Sequence, residues 1–256
     1  MSAFFLDLGD DRYAATEHTT GPWTATTQHL GPPSALLGRA MELLPAAAPM
    51  RIGRITVEIL GPVPVAEVEV HASVERPGRS VELLAAELLV GGRAAVRARA
   101  WRFRTSQTEQ VEVYPPLAPP SAGEPMFRPE GWGPGYLDIM EWRALVGHLG
   151  KPGPATVWAR QTVPLVEGEE PTGLQRLLTV ADSGNGVSNR LDPREWLFIN
   201  AELTVHVHRE PAGEWIGLDA TTAVGPDGIG TAFSVLHDQQ GPVGRGAQAL
   251  LIRPQT

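Results

Sequence analysis

The chain has 256 residues, of which 42% are hydrophobic and 20% are charged. This composition is ordinary for a globular protein and suffices for one large domain or two small ones. The formal net charge of −8 disfavours nucleic acid and anionic lipid as partners, so an anionic ligand would need a local basic patch. The absence of cysteine excludes disulfides, thiolate metal sites and a cysteine nucleophile.

Targeting and membrane segments are not expected. No apolar run reaches the roughly 18 residues that suggest a membrane helix, so we predict no membrane insertion. The first residues, MSAFFLDLGDD, lack a basic region and turn acidic at once, which argues against a secretory signal. These features favour a cytoplasmic location.

The first half of the chain is typical of one helix followed by four strands. Pro32–Leu44 starts with two prolines, which suit a first helical turn, and continues with helix formers at helical spacing as far as Pro45. The apolar period then changes to two, and Gly and Pro residues separate the alternating stretches, which predicts an antiparallel meander. Its strands are predicted at Arg51–Leu60, Ala66–Arg76, Ser80–Val90 and Arg93–Arg104.

The second half repeats this order. A strand at Thr156–Val166 precedes a helix at Pro171–Ala181. The strands that follow are predicted at Phe198–Arg209, Glu214–Val224, Gly228–Asp238 and Val243–Arg253. Between the halves, the proline-rich stretch Thr105–Pro125 predicts an extended connector that neither forms a helix nor joins the interior of a sheet.

The repeated order predicts an α+β fold built from two similar units. The helix of each unit can hide its apolar side only by lying across its own sheet, which is the hotdog arrangement. We therefore predict a double hotdog, with a first unit at residues 1–104, a linker at 105–125 and a second unit at 126–256.

Several phrases resemble the acyl-CoA thioesterase II-like family, and in order they cover nearly the whole chain. They are HLGPPSALLGRA, RPGRSVELLAAEL, FINAELTVHVHREPAGEWIGLDATT and GTAFSVLHDQQGPVGRGAQALLI, with the strongest similarity from Phe198 onward. The resemblance implies a double hotdog enzyme that hydrolyses fatty acyl-CoA thioesters without a metal or an organic cofactor.

The same resemblance implies three polar site residues, all in the second unit. Asp182 in TVADSGNG matches an acid near the helix, and Gln248 in GRGAQALLIR matches an amide on the last strand. Aligning the His-Arg pair of TVHVHR places the middle position at Asn200. Here the chain departs from the hydroxyl residue that the family implies, which puts the rate of hydrolysis in question.

Thioester hydrolysis needs a positioned water, a base for its proton and donors for the oxyanion. We expect Asp182 to be the base or to orient the water, Gln248 to hold that water and Asn200 to assist. Backbone N–H groups at a helix start or in a glycine turn are expected oxyanion donors. Structural roles stay open: Asp182 could form a turn, Gln248 could face solvent and Asn200 could be a polar strand end.

Three histidines suggest other chemistry. His206 and His208 share one face of a strand, but no third ligand has suggestive spacing, so we expect structural roles and no metal site. His29 precedes the first helix, where a hotdog hydratase or dehydratase would place a histidine opposite an acid.

Arginines and tryptophans have two interpretations each. The arginines between Arg93 and Arg104 could bind coenzyme A phosphates, but we favour a solvated strand face paired with acids. Trp23, Trp132 and Trp158 could line an acyl tunnel, but we expect them in the core.

The sequence thus favours an acyl-CoA thioesterase whose partner is an acyl-CoA or a similar acyl thioester. A non-catalytic acyl-thioester binding protein is the first alternative, supported by Asn200, and a hotdog hydratase or dehydratase is the second. Fused hotdog units already form the pair that single hotdogs reach by dimerising, whereas exposed sheet edges often drive further pairing. The sequence therefore leaves the oligomeric state open, with a homo-oligomer as one outcome.

Overall fold

The computed structural model describes residues 3–108, 116–130 and 132–255. Within them lies one antiparallel sheet of 14 strands. The strands are β1 Phe5–Gly9, β2 Arg12–Ala15, β3 Met50–Ile59, β4 Glu67–Arg76, β5 Val81–Val90, β6 Arg93–Arg104, β7 Glu124–Met126, β8 Met140–Val146, β9 Ala155–Gln161, β10 Trp196–Asn200, β11 Glu202–Val207, β12 Ile216–Val224, β13 Ile229–Asp238 and β14 Gly241–Pro254. The helices are α1 Gly31–Glu42, α2 Tyr136–Ile139, α3 Gly173–Ala181 and α4 Gly184–Val187.

The strand order displays the internal repeat. The sheet runs β1-β2-β4-β5-β6-β3-β11-β14-β13-β12-β9-β8-β7, and β10 pairs with β14 off this path. The units join where β3 pairs with β11, with Thr56 opposite Thr204. Read outward from that pair, β6 corresponds to β14, β5 to β13 and β4 to β12. The double hotdog and its α+β class are therefore confirmed.

The helices α1 and α3 pack against each other and run antiparallel. A side chain on Gly31 would overlap the carbonyl of Thr179, and a Cβ on Gly38 would lie 2.5 Å from Leu178 Cδ1. Glycine at these two positions on α1 therefore allows the close approach. The first turn of α1 lies at the end of α3, and the last turn of α1 lies at the start of α3.

The predicted elements and the observed ones differ at a few places. The single strand predicted at Phe198–Arg209 is wrong, because Ala201 separates β10 from β11. The N–H of Ala201 still donates to Ala249 of β14, 2.9 Å away, so both short strands pair with the same partner. The strands β1, β2, β7 and β8 and the helices α2 and α4 were not predicted. None of the described helices is long and apolar enough to cross a membrane.

The predicted connector is only partly described. Residues 109–115 lie outside the described residues. Pro120–Ala122 forms one 3-10 turn, and β7 pairs with β8 at the edge of the sheet. The carbonyl of Ala118 accepts a hydrogen bond from Trp158 Nε1, 2.8 Å away, on the face of β9 turned away from the helices. The unit boundaries at residues 104 and 125 stay a prediction.

Candidate active site

A cleft of about 510 Å³ opens where the first turn of α1 meets the end of α3. Both units line it, the first through residues 21–30 and 59–63 and the second through residues 182–187 and 197–201, among others. Its walls are mainly apolar, while His29, Asp182 and Asn200 bring polar groups into it. An apolar cleft with a few convergent polar groups is the usual form of a small-molecule site.

Asp182 follows the last residue of α3 and points a buried carboxylate at the cleft. Its side chain is 5% exposed. Its Oδ1 atom accepts hydrogen bonds from Asn200 Nδ2 at 2.8 Å and from Gln248 Nε2 at 3.3 Å. Two amides from two strands therefore fix one carboxylate oxygen.

Gln248 lies on β14 with its amide turned inward. Nε2 also donates to the carbonyl of Asp182 at 2.9 Å, and Oε1 accepts from the N–H of Asn185 at 3.0 Å. The buried amide is thus satisfied at both ends, as burial requires. A Cβ on Gly184 would lie 2.9 Å from Gln248 Oε1, so the glycine leaves room for this contact. Gln248 ties β14 to the corner between α3 and α4 and does not face solvent.

Asn200 is the last residue of β10, directly before the break at Ala201. Besides Asp182, its Nδ2 atom also approaches the carbonyl of Glu202 at 3.3 Å. The structure therefore brings Asp182, Asn200 and Gln248 together around one carboxylate. Their positions derive from a helix end, a strand end and a strand interior, respectively.

His29 is a fourth polar group at this point, which the sequence linked only to a different enzyme class. Its Nδ1 atom lies 3.3 Å from Asp182 Oδ2 and accepts a hydrogen bond from the N–H of Gly31 at 3.0 Å. Burial lowers the pKa of His29, and the charge of Asp182 opposes that shift only in part. The imidazole is therefore neutral at neutral pH, and the hydrogen bond from Gly31 assigns its proton to Nε2.

Tyr136, in the unpredicted helix α2, packs its ring against the imidazole of His29. Its ring stacks on the imidazole with centroids 3.9 Å apart and planes 6° apart. Its hydroxyl donates to the carbonyl of Thr179 at 2.8 Å and lies 3.0 Å from Ser183 Oγ. Burial raises the pKa of Tyr136, so the phenol stays neutral and holds the ring in place.

The start of α1 offers few backbone donors to a ligand. The N–H of Gly31 is used by His29 and that of Ser34 donates to Leu30. Pro32 and Pro33 have no N–H to give. Leu30 lines the cleft, and its N–H has no acceptor among the described residues.

Two of the three tryptophans expected in the core are cleft residues instead. Trp23 and Trp132 line the cleft, with ring centroids 6.4 Å apart. Trp23 also meets Phe198 edge-to-face at 5.0 Å. The prediction failed because the two loops that bring these rings together come from different units. Trp158 is fully buried, but on the opposite face of the sheet.

The arginine-rich strand β6 is paired with acids, as expected. Arg97 pairs with Glu87 at 2.6 Å and Arg99 with Glu75 at 2.9 Å. Arg102 is buried rather than solvated, pairs with Glu82 at 2.5 Å and donates to the carbonyl of Leu44 at 2.9 Å. Over the described ranges, no cluster of three or more His, Asp or Glu side chains is placed to hold a metal ion.

Two antiparallel hotdog units around a cleft with a buried carboxylate define a double hotdog of the thioesterase type. Models of the acyl-CoA thioesterase N-terminal domain and C-terminal domain match residues 19–103 and 118–252, respectively. The chain belongs to the acyl-CoA thioesterase family. The general reaction of that family is hydrolysis of an acyl-CoA thioester.

Solved structures support the fold along the whole chain. A hot dog fold protein from Alicyclobacillus acidocaldarius is similar with a TM-score of 0.75 and 15% identity, over 98% of this chain and 96% of that one. An acyl-CoA thioesterase II from Mycobacterium marinum gives a TM-score of 0.67 at 15% identity, over 98% and 95%. A tesB protein from Mycobacterium avium gives 0.70 at 14%, over 98% and 96%. No curated protein sequence matches the chain.

Proposed function

We propose that this chain hydrolyses acyl-CoA thioesters with Asp182 as the base. The observation that supports this most directly is the asymmetry of the Asp182 carboxylate. Oδ1 is held by the amides of Asn200 and Gln248, while Oδ2 lies 3.3 Å from His29 Nδ1. A carboxylate that is oriented through one oxygen keeps the other for the proton of a water molecule.

Proton transfer explains the contact between Asp182 and His29. Nδ1 already accepts from Gly31, so in the resting site Nδ1 and Oδ2 are two acceptors at close range. When Oδ2 takes a proton from the attacking water, that proton lies between the two atoms. His29 then accepts a hydrogen bond from the newly protonated Asp182 in place of the one from Gly31, because a neutral imidazole has one acceptor nitrogen with one lone pair.

The remaining steps balance as an ordinary hydrolysis. The oxygen of water attacks the thioester carbonyl carbon, and the N–H of Leu30 is the proposed donor to the oxyanion. The C–S bond then breaks, and the proton held by Asp182 passes to the thiolate. The products are a free carboxylic acid and the thiol of coenzyme A.

In this scheme Gln248 orients Asp182 rather than holding the water. Both ends of its amide already bind protein atoms. Asn200 has the same orienting role through Nδ2, so an amide can replace a hydroxyl at this position without removing the base. The apolar walls of the cleft, including Trp23 and Trp132, suit an acyl chain.

A thiol-release assay tests this proposal. Purified protein is offered acyl-CoAs of graded chain length, and free thiol is followed with and without Asp182→Asn. Release above background that the substitution abolishes is the expected result. Binding without release at every chain length would support the alternative of a non-catalytic acyl-thioester binding protein.

A hotdog hydratase is a second candidate because His29 does have an acidic partner at 3.3 Å. Hydration of an enoyl-CoA needs a water between the two groups, whereas the 3.3 Å between Nδ1 and Oδ2 leaves no room for one, which favours the hydrolase. Loss of enoyl absorbance without thiol release, in the same protein sample, would reverse this preference. The cytoplasmic location also stays a prediction.

A further inference from the structure

The outer face of the sheet, which is turned away from α1 and α3, is apolar in the second unit. On β13, Phe233 is 58% exposed and Ile229 is 66% exposed. On β14, the exposed Leu251 lies directly opposite Ile229. These side chains share one face of two neighbouring strands, with Thr231 between Phe233 and Ile229, and an exposed apolar face of this kind is where another molecule would bind.

Two opposite charges flank this apolar surface in a single row across the strands. Asp219 on β12 lies opposite Val235 on β13, and Val235 lies opposite Arg245 on β14. Two strand spacings, about 10 Å, separate the backbones of Asp219 and Arg245. Both side chains are exposed. Asp219 accepts a hydrogen bond from Thr156 Oγ1 at 2.9 Å, but neither charge forms an ion pair with the residues that the structure describes.

The first unit has an arginine at the position that corresponds to Arg245. Thr56 and Thr204 face each other at the junction of the units. Two residues further along each strand, Glu58 lies opposite Arg97 and His206 lies opposite Arg245. Arg97 in the first unit is thus equivalent to Arg245 in the second.

The two arginines differ in the residue on the next strand. Arg97 lies opposite Glu87 on β5 and pairs with it at 2.6 Å. Arg245 lies opposite Val235 on β13, and the acidic residue of the same row, Asp219, lies one strand further away on β12. The first unit therefore satisfies its arginine within the chain, whereas the second unit separates the charges by an apolar strand.

We propose that this face binds a second copy of the chain about a two-fold axis parallel to β13. Rotation about this axis keeps every row in register and exchanges β12 with β14. It sets Asp219 of each copy against Arg245 of the partner subunit, which forms two ion pairs. Phe233 and Ile229 then cover their own counterparts.

The charges select this axis over the alternative. A two-fold axis across the strands would place Arg245 against the row of Leu251, so a charge would be buried on an apolar surface at a cost. The axis along β13 gives a self-complementary interface of the kind that closed dimers use. Two sheets packed face to face lie about 10 Å apart. The segment at residues 117–118 covers Gly217 and Trp158 on this face, so the layer between the copies ends at the row of Asp219. The association does not depend on thioester hydrolysis.

Sedimentation velocity over a range of micromolar concentrations tests the proposal. The wild type should be a dimer. Arg245→Asp should weaken the dimer at least tenfold, since it places two pairs of acids in contact. The double exchange Asp219→Arg with Arg245→Asp should restore the dimer, because the two-fold axis then pairs the same charges in reverse.

Arg97→Asp is the matched control, since it makes the same change at the equivalent position of the first unit. It should leave the dimer intact, and circular dichroism should confirm that each variant is folded. Phe233→Glu should also dissociate the dimer, and no exchange of charges between Asp219 and Arg245 should restore it. A monomeric wild type, or a double exchange no stronger than Arg245→Asp alone, would overturn the proposal.

Discussion

The antiparallel pair of helices has two ends, and at each end a carboxylate from one helix meets the start of the other. At one end Asp182, directly after α3, lies 3.3 Å from His29, which precedes α1. At the other end Glu42, the last residue of α1, accepts hydrogen bonds from Thr172 at 3.0 Å and from Gln175 at 2.9 Å, at the start of α3. The exchange of the two units of the sheet also exchanges the two ends of the helix pair. The end at Glu42 is therefore the position in one unit that corresponds to the end at Asp182 in the other.

The surroundings make the two ends different. The Asp182 end opens into the apolar cleft. At the Glu42 end, Arg39 pairs with Glu169, and Arg102 donates to the carbonyl of Leu44 just beyond α1. Charged and capping groups thus occupy the space where the first unit would place a ligand. A double hotdog can therefore keep a ligand site at one end, here at Asp182, and use the other end, here at Glu42, for contacts between the two helices. A carboxylate is present at both ends.

The largest expected effect separates the two ends directly. Asp182→Asn keeps the shape of the side chain and removes the base, so kcat/KM for acyl-CoA hydrolysis should fall about 10²- to 10⁴-fold. Glu42→Gln, the matched change at the other end, should change kcat/KM by less than about twofold, since it lies outside the cleft. Thiol release at several acyl-CoA concentrations measures both. Equal losses in the two variants would mean that the ends are not functionally distinct.

Replacement of His29 should have the next largest effect. His29→Gln removes the acceptor for the proton on Asp182, and we expect kcat to fall roughly 10- to 100-fold. In the wild type, kcat should also fall on the acid side as His29 is protonated, at a pH below about 6.5 because burial lowers its pKa. A wild-type pH profile that the substitution leaves unchanged would remove His29 from the mechanism.

Stability gives an independent measure of the same histidine. Between its lowered folded pKa and about 6.5, the unfolded state binds a proton that the folded state does not, so the free energy of unfolding falls as the pH falls through this window. Urea denaturation at pH 7.5 and 5 should show a smaller acid loss in His29→Gln. Part of the loss should persist, because burial also lowers the pKa of His237.

Asn200 should have a smaller effect than the base and its histidine. Asn200→Ala removes the 2.8 Å hydrogen bond to Asp182 Oδ1, while Gln248 still holds the carboxylate, so kcat/KM should fall about tenfold. Asn200→Thr, which restores a hydroxyl donor, should recover part of that loss. A threonine variant faster than the wild type would show that the amide limits the rate.

The repeat, the two long helices and most strands of the sheet were predictable because each depends on local pattern. The period of two in Ser80–Val90 and the Gly-Gly turn after it predict a strand that the structure places at Val81–Val90. The convergence of Asp182, Asn200 and Gln248 was predictable only through the family resemblance, since no local pattern relates a helix end to two distant strands.

His29 and Tyr136 illustrate what the sequence did not predict. His29 reaches Asp182 because α1 and α3 approach closely at Gly31 and Thr179, and this contact joins residues from different units. Tyr136 lies in a helix of four residues with no apolar period to reveal it. Its position under the imidazole depends on packing between residues that are far apart in the chain.

The smallest expected effect concerns the stability of the Glu42 end. Burial raises the pKa of Glu42 above 4.5, the charge of Glu210 acts in the same direction, and the hydrogen bonds from Gln175 and Thr172 oppose both. The folded state then keeps a proton that the unfolded state has lost, so this carboxyl destabilises the fold as the pH rises from about 4.5 through its raised pKa. Glu42→Gln removes that titration. From pH 7 to pH 4.5, the difference in free energy of unfolding, measured with urea, should shift by less than about 1 kcal/mol in favour of the wild type. A shift in the opposite direction would mean that Glu42 is held as an anion, like a carboxylate that serves an open site.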